Sequence, residues 1–105
     1  MKMEFVFDKN KLEKEGYTEE QCLNVIRKHF KKYDQDDSIV ETRKGFFEGS
    51  DKQDDYSAFS TAISLSHTNW FLKVISEWYW YINEGNGEEK EDCLKSYYEV
   101  AEQNA

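Results

Sequence analysis

Trp70-Phe71-Leu72-Lys73-Val74-Ile75-Ser76-Glu77-Trp78-Tyr79-Trp80-Tyr81-Ile82-Asn83 is the stretch on which the fold turns. Trp70, Val74, Trp78 and Tyr81 recur at helical spacing, with Phe71, Ile75 and Ile82 alongside, and this predicts a long helix over 70–83. Those seven side chains fill an arc of roughly 140°. Trp80 falls outside the arc, among Lys73, Ser76, Glu77 and Glu84, and Tyr79 lies beside it. Either another element covers Trp80 or it is exposed; an exposed Trp ringed by polar groups has the profile of a binding hot spot. Tyr79, Trp80, Lys73 and Glu77 are therefore the expected partner-binding residues. Thr68 or Asn69 would cap this helix, and Gly85-Asn86-Gly87 would end it, since all three tolerate positive φ.

Working outward, Tyr56 through Leu72 carries no formal charge in a chain that is 34% charged. A helix capped by Asp54 or Asp55 would use Tyr56, Phe59, Ala62 and Ile63 as its apolar face and sit centrally. On the other side, residues from about Glu89 to Gln103 read as a last helix with Leu94, Tyr97, Tyr98 and Ala101 on its face. Glu88, Glu89, Glu91 and Asp92 would crowd its start, where the helix dipole favours acids.

The first half divides more sharply. Met3, Phe5 and Phe7 alternate with Glu4 and Val6, which predicts a short strand. Asp8 would cap a helical turn closed by Gly16. Thr18-Glu19-Glu20-Gln21 is a capping-box pattern. Behind it Cys22, Val25, Ile26, His29, Phe30 and Tyr33 share one helix face over 18–33, with Arg27, Lys28, Lys31 and Lys32 opposite. Ile39, Val40, Thr42, Phe46 and Phe47 flank Lys44-Gly45 as a hairpin, which would pair with residues 3–7. The expected fold class is α+β: a mainly helical small single domain over 1–105, three to four helices packed with a small antiparallel sheet of the N-terminal strand plus the hairpin.

Composition narrows the function. The chain has 105 residues, with 14 Lys and Arg against 22 Asp and Glu, a net charge of −8. Sixteen per cent aromatic is too rich for an acidic disordered chain. Residues 1–33 hold eight basic and six acidic side chains, a local +2; residues 34–105 hold six and sixteen, a local −10. The acids gather at Asp34-Gln35-Asp36-Asp37, Asp51-Lys52-Gln53-Asp54-Asp55 and Glu88-Glu89-Lys90-Glu91-Asp92. This field repels nucleic acid and anionic lipid and attracts a basic protein. No secretory leader is expected at Met1-Lys2-Met3-Glu4, and no apolar run reaches the ~18 residues of a membrane span. Cys22 and Cys93 read as buried thiols in a reducing cytoplasm, with a bridge between them as the alternative.

Reaction chemistry finds little purchase. Cys22 and His29 are about 10 Å apart along a helix, too far to form a nucleophile pair. His29 lies mid-stripe as a core histidine; His67 falls between two helices. EF-hand spacing fails at Asp34, where Ile39 and Gly45 occupy the Gly and Glu positions, and at Asp51. Asp36-Asp37 and Asp54-Asp55 sit in polar loops where nothing raises a carboxyl pKa. The basic stripe of the 18–33 helix is flanked by acids and reads as a solvated face. No catalytic, cofactor or metal residue is assigned.

The expected function is that of a non-catalytic cytoplasmic protein acting by protein–protein interaction, as a monomer or weak homodimer. One alternative is an acidic mimic of DNA that inhibits a nucleic-acid-binding protein. A second is a small enzyme using His67 with a loop carboxylate. In size and composition the chain is similar to short acidic accessory proteins of phages and other mobile elements; no motif carries that likeness and it transfers no residue role.

Overall fold

A computed structural model describes residues 1–34, 37–50, 52–83 and 87–103. In chain order the elements are β1 (Lys2–Phe7), α1 (Lys9–Glu15), α2 (Glu19–Tyr33), β2 (Val40–Arg43), β3 (Phe46–Glu48) and α3 (Gln53–Ala62). A 3-10 turn (Ile63–His67), α4 (Phe71–Val74), β4 (Ile75–Asn83), β5 (Glu88–Asp92) and α5 (Cys93–Gln103) complete them. The fold is α+β. The five strands form one antiparallel sheet in the order β2-β3-β1-β4-β5.

Local signals in the first half are obeyed. The Asp8 side chain accepts from the backbone N–H groups of Asn10 and Lys11, and Gly16 closes α1 at φ +76°. Thr18 and Gln21 complete their capping box. Lys44-Gly45 turns the hairpin, and β1 pairs with β3 as Lys2–Glu48, Met3–Phe47 and Glu4–Phe46. The buried stripe of α2 is rotated from the expected one: Cys22, Leu23, Ile26 and Phe30 are buried, while Val25 and Tyr33 are exposed.

The second half departs from expectation. Residues 70–83 are not one helix. A single turn, α4, gives way at Ile75 to β4, which pairs along β1 from Phe7–Ile75 to Lys2–Tyr81, with Ser76 left out of register in a bulge. Neither Thr68 nor Asn69 caps α4; Trp70 holds that position without a side-chain bond. The start of the expected last helix is also strand: Glu88–Asp92 pair with Asn83–Tyr79, and α5 begins only at Cys93. The sheet thus has two strands beyond the expected three. Lys52, not Asp54 or Asp55, stands at the N-cap of α3. Tyr56 is exposed, and Ala58 joins Phe59 and Ala62 on the buried face of α3. Of the expected Gly85-Asn86-Gly87 terminator, Gly85 and Asn86 lie outside the described residues.

One face of the sheet carries the core. Met3, Phe5, Phe47, Trp78 and Trp80 are all buried there, against Ile26 and Phe30 of α2, Ala58, Phe59 and Ala62 of α3, and Phe71. Phe5 stands at the centre, its ring 5.9–6.4 Å from those of Phe30, Phe47, Phe71 and Trp78. Each fully buried ring or aliphatic of this kind contributes about 1.5–3 kcal/mol. Leu12, Cys22 and Val74 form a smaller cluster joining α1, α2 and α4.

Candidate functional site

Because successive side chains of a strand face opposite ways, β4 serves two surfaces. Trp78 and Trp80 point to the helical side. Tyr79 and Tyr81 point to the other side, where none of the described side chains is buried, whereas Met3, Phe5, Phe47, Trp78 and Trp80 on the core side are.

On that open face the register sets two rows across the sheet. Arg43, Phe46, Glu4, Tyr79 and Asp92 form one; Val40, Glu48, Lys2, Tyr81 and Lys90 form the next. Tyr81 lies 6.1 Å from Phe46 and 6.5 Å from Tyr79, ring centre to ring centre. Lys90 Nζ sits 3.9 Å over Tyr79, and the Arg43 guanidinium 4.2 Å over Phe46. The Tyr81 hydroxyl donates to Glu4 Oε1 at 3.3 Å and the Tyr79 hydroxyl to Glu77 Oε1 at 3.1 Å. The Glu77 carboxylate beside it raises the Tyr79 phenol above its ordinary range. Lys2 pairs with Glu88 at 3.2 Å. Three aromatic rings are thus held in fixed poses by short cross-strand contacts, and acids outnumber cations around them.

On the helical side, Trp78 and Trp80 line an apolar groove of about 440 Å³ bounded by the 3-10 turn, α5 and Glu91. The Tyr56 ring lies 5.5 Å from Trp80. Among the described residues, neither indole N–H has a hydrogen-bond partner. Cys93, on the groove wall, is a free thiol that burial and then the Glu91 and Asp92 carboxylates push up to about 12. Cys22 is also free and buried, and burial raises its thiol too.

Of the four expected partner-binding residues, Tyr79 and Glu77 meet, and Trp80 and Lys73 lie elsewhere. The helical arc that grouped them does not exist. Trp80 is 6% exposed and faces the core, because strand geometry carries it to the side opposite Tyr79. Glu77 and Tyr79 share the open face, and Lys73 is exposed on α4. Tyr81 and Phe46, missed in the sequence, complete the ring cluster; the strand-forming run Trp78–Ile82 was the available signal.

The acidic runs divide as well. Asp34 is buried and accepts from the backbone N–H groups of Ser38 and Ile39. Asp55 is buried and accepts from Ser38 and Ser50. Asp36 and Asp51 lie outside the described residues. In Glu88–Asp92 all five side chains are exposed. Of the basic stripe, Arg27 is held by Glu41 at 2.6 Å and Glu20 at 2.8 Å. His29 packs edge-on to Phe30 and tilted on Tyr33; burial lowers its pKa, opposed by the Ala58 carbonyl. His67 is exposed beside the groove, with no ion pair among the described residues. No three His, Cys, Asp or Glu among the described residues come together as metal ligands, and no helix is long and apolar enough to cross a membrane.

Fold and site define a two-layer α+β protein with one sheet face open and aromatic. Set against known protein families, curated proteins and solved structures, the chain matches none.

Proposed function

We propose that this chain is a non-catalytic interaction protein that binds a basic protein partner through the open face of its sheet. The observation that carries the reading is the uncovered cluster of Tyr79, Tyr81 and Phe46, pre-set by Lys90, Arg43 and Glu4. Rigid aromatic rings bind at low entropic cost, and Tyr is favoured in interface hot spots. Glu4, Glu48, Glu77, Glu88 and Asp92 surround the rings and outnumber Lys2, Arg43 and Lys90, so the surface suits a partner rich in Lys or Arg. Two free thiols suit a reducing cytoplasm. Size and acidity fit an accessory role of the kind found in phages and other mobile elements.

Affinity capture with the wild type and with Tyr79→Ala/Tyr81→Ala tests the reading, with thermal melting as a check on folding. The expected result is a basic protein retained by the wild type, released as salt rises, and lost with the double variant. Equal retention by both chains, or no reproducible partner for either, would sink it.

A further inference from the structure

We propose that the groove between β4, the 3-10 turn and α5 binds a small organic cation, an apolar body with one primary ammonium group, seated with the ammonium against Glu91. The groove is on the opposite side of the sheet from the open face, and the inference stands independently of the reading above. Strand alternation builds the site. Glu91 pairs with Trp80 in the β4–β5 ladder, so its side chain leaves β5 on the helical side. The following helix, α5, buries Cys93 at its start but leaves Val100 and Ala101 exposed. Those two residues, with Ile63, Tyr97 and Trp80, give the groove its apolar lining. Its volume, about 440 Å³, falls in the roughly 300–1,000 Å³ range of small-molecule sites.

Charge selects the head group of the ligand. Among the described residues Glu91 is the one acid that lines the groove. Its Oε1 accepts from Ser96 Oγ at 3.3 Å, and it has no ion pair among the described residues. An uncharged apolar ligand that covers a carboxylate strips away its water and returns nothing. An anion is repelled both by Glu91 and by the net charge of −8. An ammonium supplies a charge-assisted hydrogen bond where that water is lost. The Cys93 thiol on the same wall is kept neutral by burial and does not compete for the cation.

Three ligands of one shape and different charge test the site when titrated at low salt into ¹⁵N-labelled protein: 4-phenylbutylamine, 4-phenylbutanol and 4-phenylbutanoate. At about pH 8 an alkylamine is protonated and an ordinary imidazole is not, so the carboxylate is the group under test. The amine is expected to shift the backbone amides of Ser66, Ser96 and Ala101 saturably. It is expected to bind about fivefold more tightly than the alcohol, with the carboxylate weakest. Glu91→Gln keeps an acceptor for Ser96 and is expected to bring amine and alcohol level. Glu89→Gln removes the same charge from the same side of β5 but off the groove wall, and is expected to leave the preference for the amine intact. Both positions are exposed, and the melting temperature is expected to hold in each variant. Equal affinity for amine and alcohol in the wild type would overturn the proposal. So would tightest binding of the carboxylate, a preference that survives Glu91→Gln, or one lost equally in Glu89→Gln, the mark of diffuse attraction. Shifts centred on the separate recess of Tyr17, Val25 and Trp70, or no saturable shift, would overturn it too.

Discussion

Tyr79 and Trp80 share a peptide bond and serve opposite surfaces of β4. Tyr79 lies under the Lys90 ammonium and bonds Glu77 on the open face; Trp80 is buried against Tyr56 and the α5 side of the core. The consequences of removing each ring therefore separate. Trp80→Ala opens a cavity in the main core and is expected to cost about 3–5 kcal/mol. Tyr79→Ala removes cross-strand contacts on a solvated face and is expected to cost under about 1 kcal/mol. Urea denaturation of the two variants checks this; similar midpoints would mean that the two rings are not on different sides of the sheet.

Acid should act in two stages. Burial lowers the His29 pKa below its ordinary value near 6.5, so the unfolded chain takes up this proton first. The His29 contribution is complete above the unfolded value and is lost as pH falls through the folded one. For Asp55, burial pushes the carboxyl up, but donors from Ser38, the Ser50 hydroxyl and the Ser50 N–H outweigh it and hold the pKa below the ordinary value near 3.9. Its contribution is present above the unfolded value and is lost as pH falls through the folded one. Stability is expected to decline gently below about pH 6.5 and again below about pH 4. His29→Gln should flatten the first decline and Asp55→Asn the second, as read from melting temperatures across pH 2–8. Asp55→Asn should also destabilise at neutral pH, by about 1–3 kcal/mol, because an amide cannot accept all three donors.

What the sequence declared and what it concealed follow from how each element holds itself. Asp8, Gly16 and Thr18 act within a turn or two of themselves, so their roles are visible locally. In β4 the run Trp78–Ile82 is apolar on both sides, since Tyr79 and Tyr81 occupy the outward positions where a half-buried strand would show polar residues. Period-two alternation vanishes, and spacings from Trp70 to Tyr81 imitate a helix. The aromatic and β-branched content was the better guide. β5 conceals itself for the opposite reason. Glu88-Glu89-Lys90-Glu91-Asp92 buries nothing and is held by its backbone ladder to β4, and such charges suit an edge strand that must not pair with strangers. Its only announcement was the Asn86-Gly87 dipeptide before it, a hairpin signal.

The site was half legible for the same reason. Tyr79 and Glu77 are on the open face, but helical spacing groups them with Trp80, which strand alternation carries to the core side. Tyr81 follows Tyr79 by two on one strand and is hidden with the strand itself, whereas Phe46 joins them only once β1 lies between β3 and β4, because Glu4 pairs with both Phe46 and Tyr79. The groove was invisible, as it needs the turn at Ile63–His67 and the start of α5 at Cys93; the Asp92 side chain caps α5 by accepting from the Lys95 N–H at 3.1 Å, but in the sequence it is one acid within an acidic run.

Two glycines with nearly the same backbone angle should respond differently to alanine. Gly16 has φ +76° and open space where a β-carbon would go; Gly45 has φ +79°, and its β-carbon would lie 2.5 Å from the Phe5 carbonyl oxygen. Gly16→Ala meets only the left-handed backbone cost, about 1–2 kcal/mol. Gly45→Ala meets that cost and a backbone collision in the sheet centre, where the Phe5 N–H donates to the Gly45 carbonyl at 2.8 Å and the Gly45 N–H to Glu41 at 3.0 Å. Relief requires the hairpin to move off β1, which gives up the first of those bonds and strains the Glu41 contact that ties the turn to Arg27. Gly45→Ala is therefore expected to cost about 3 kcal/mol or more. Amide exchange should also quicken across residues 40–48 in that variant and stay at wild-type rates in Gly16→Ala. Equal destabilisation of the two variants would show that φ alone governs both turns and that the hairpin does not rest on the Phe5 backbone.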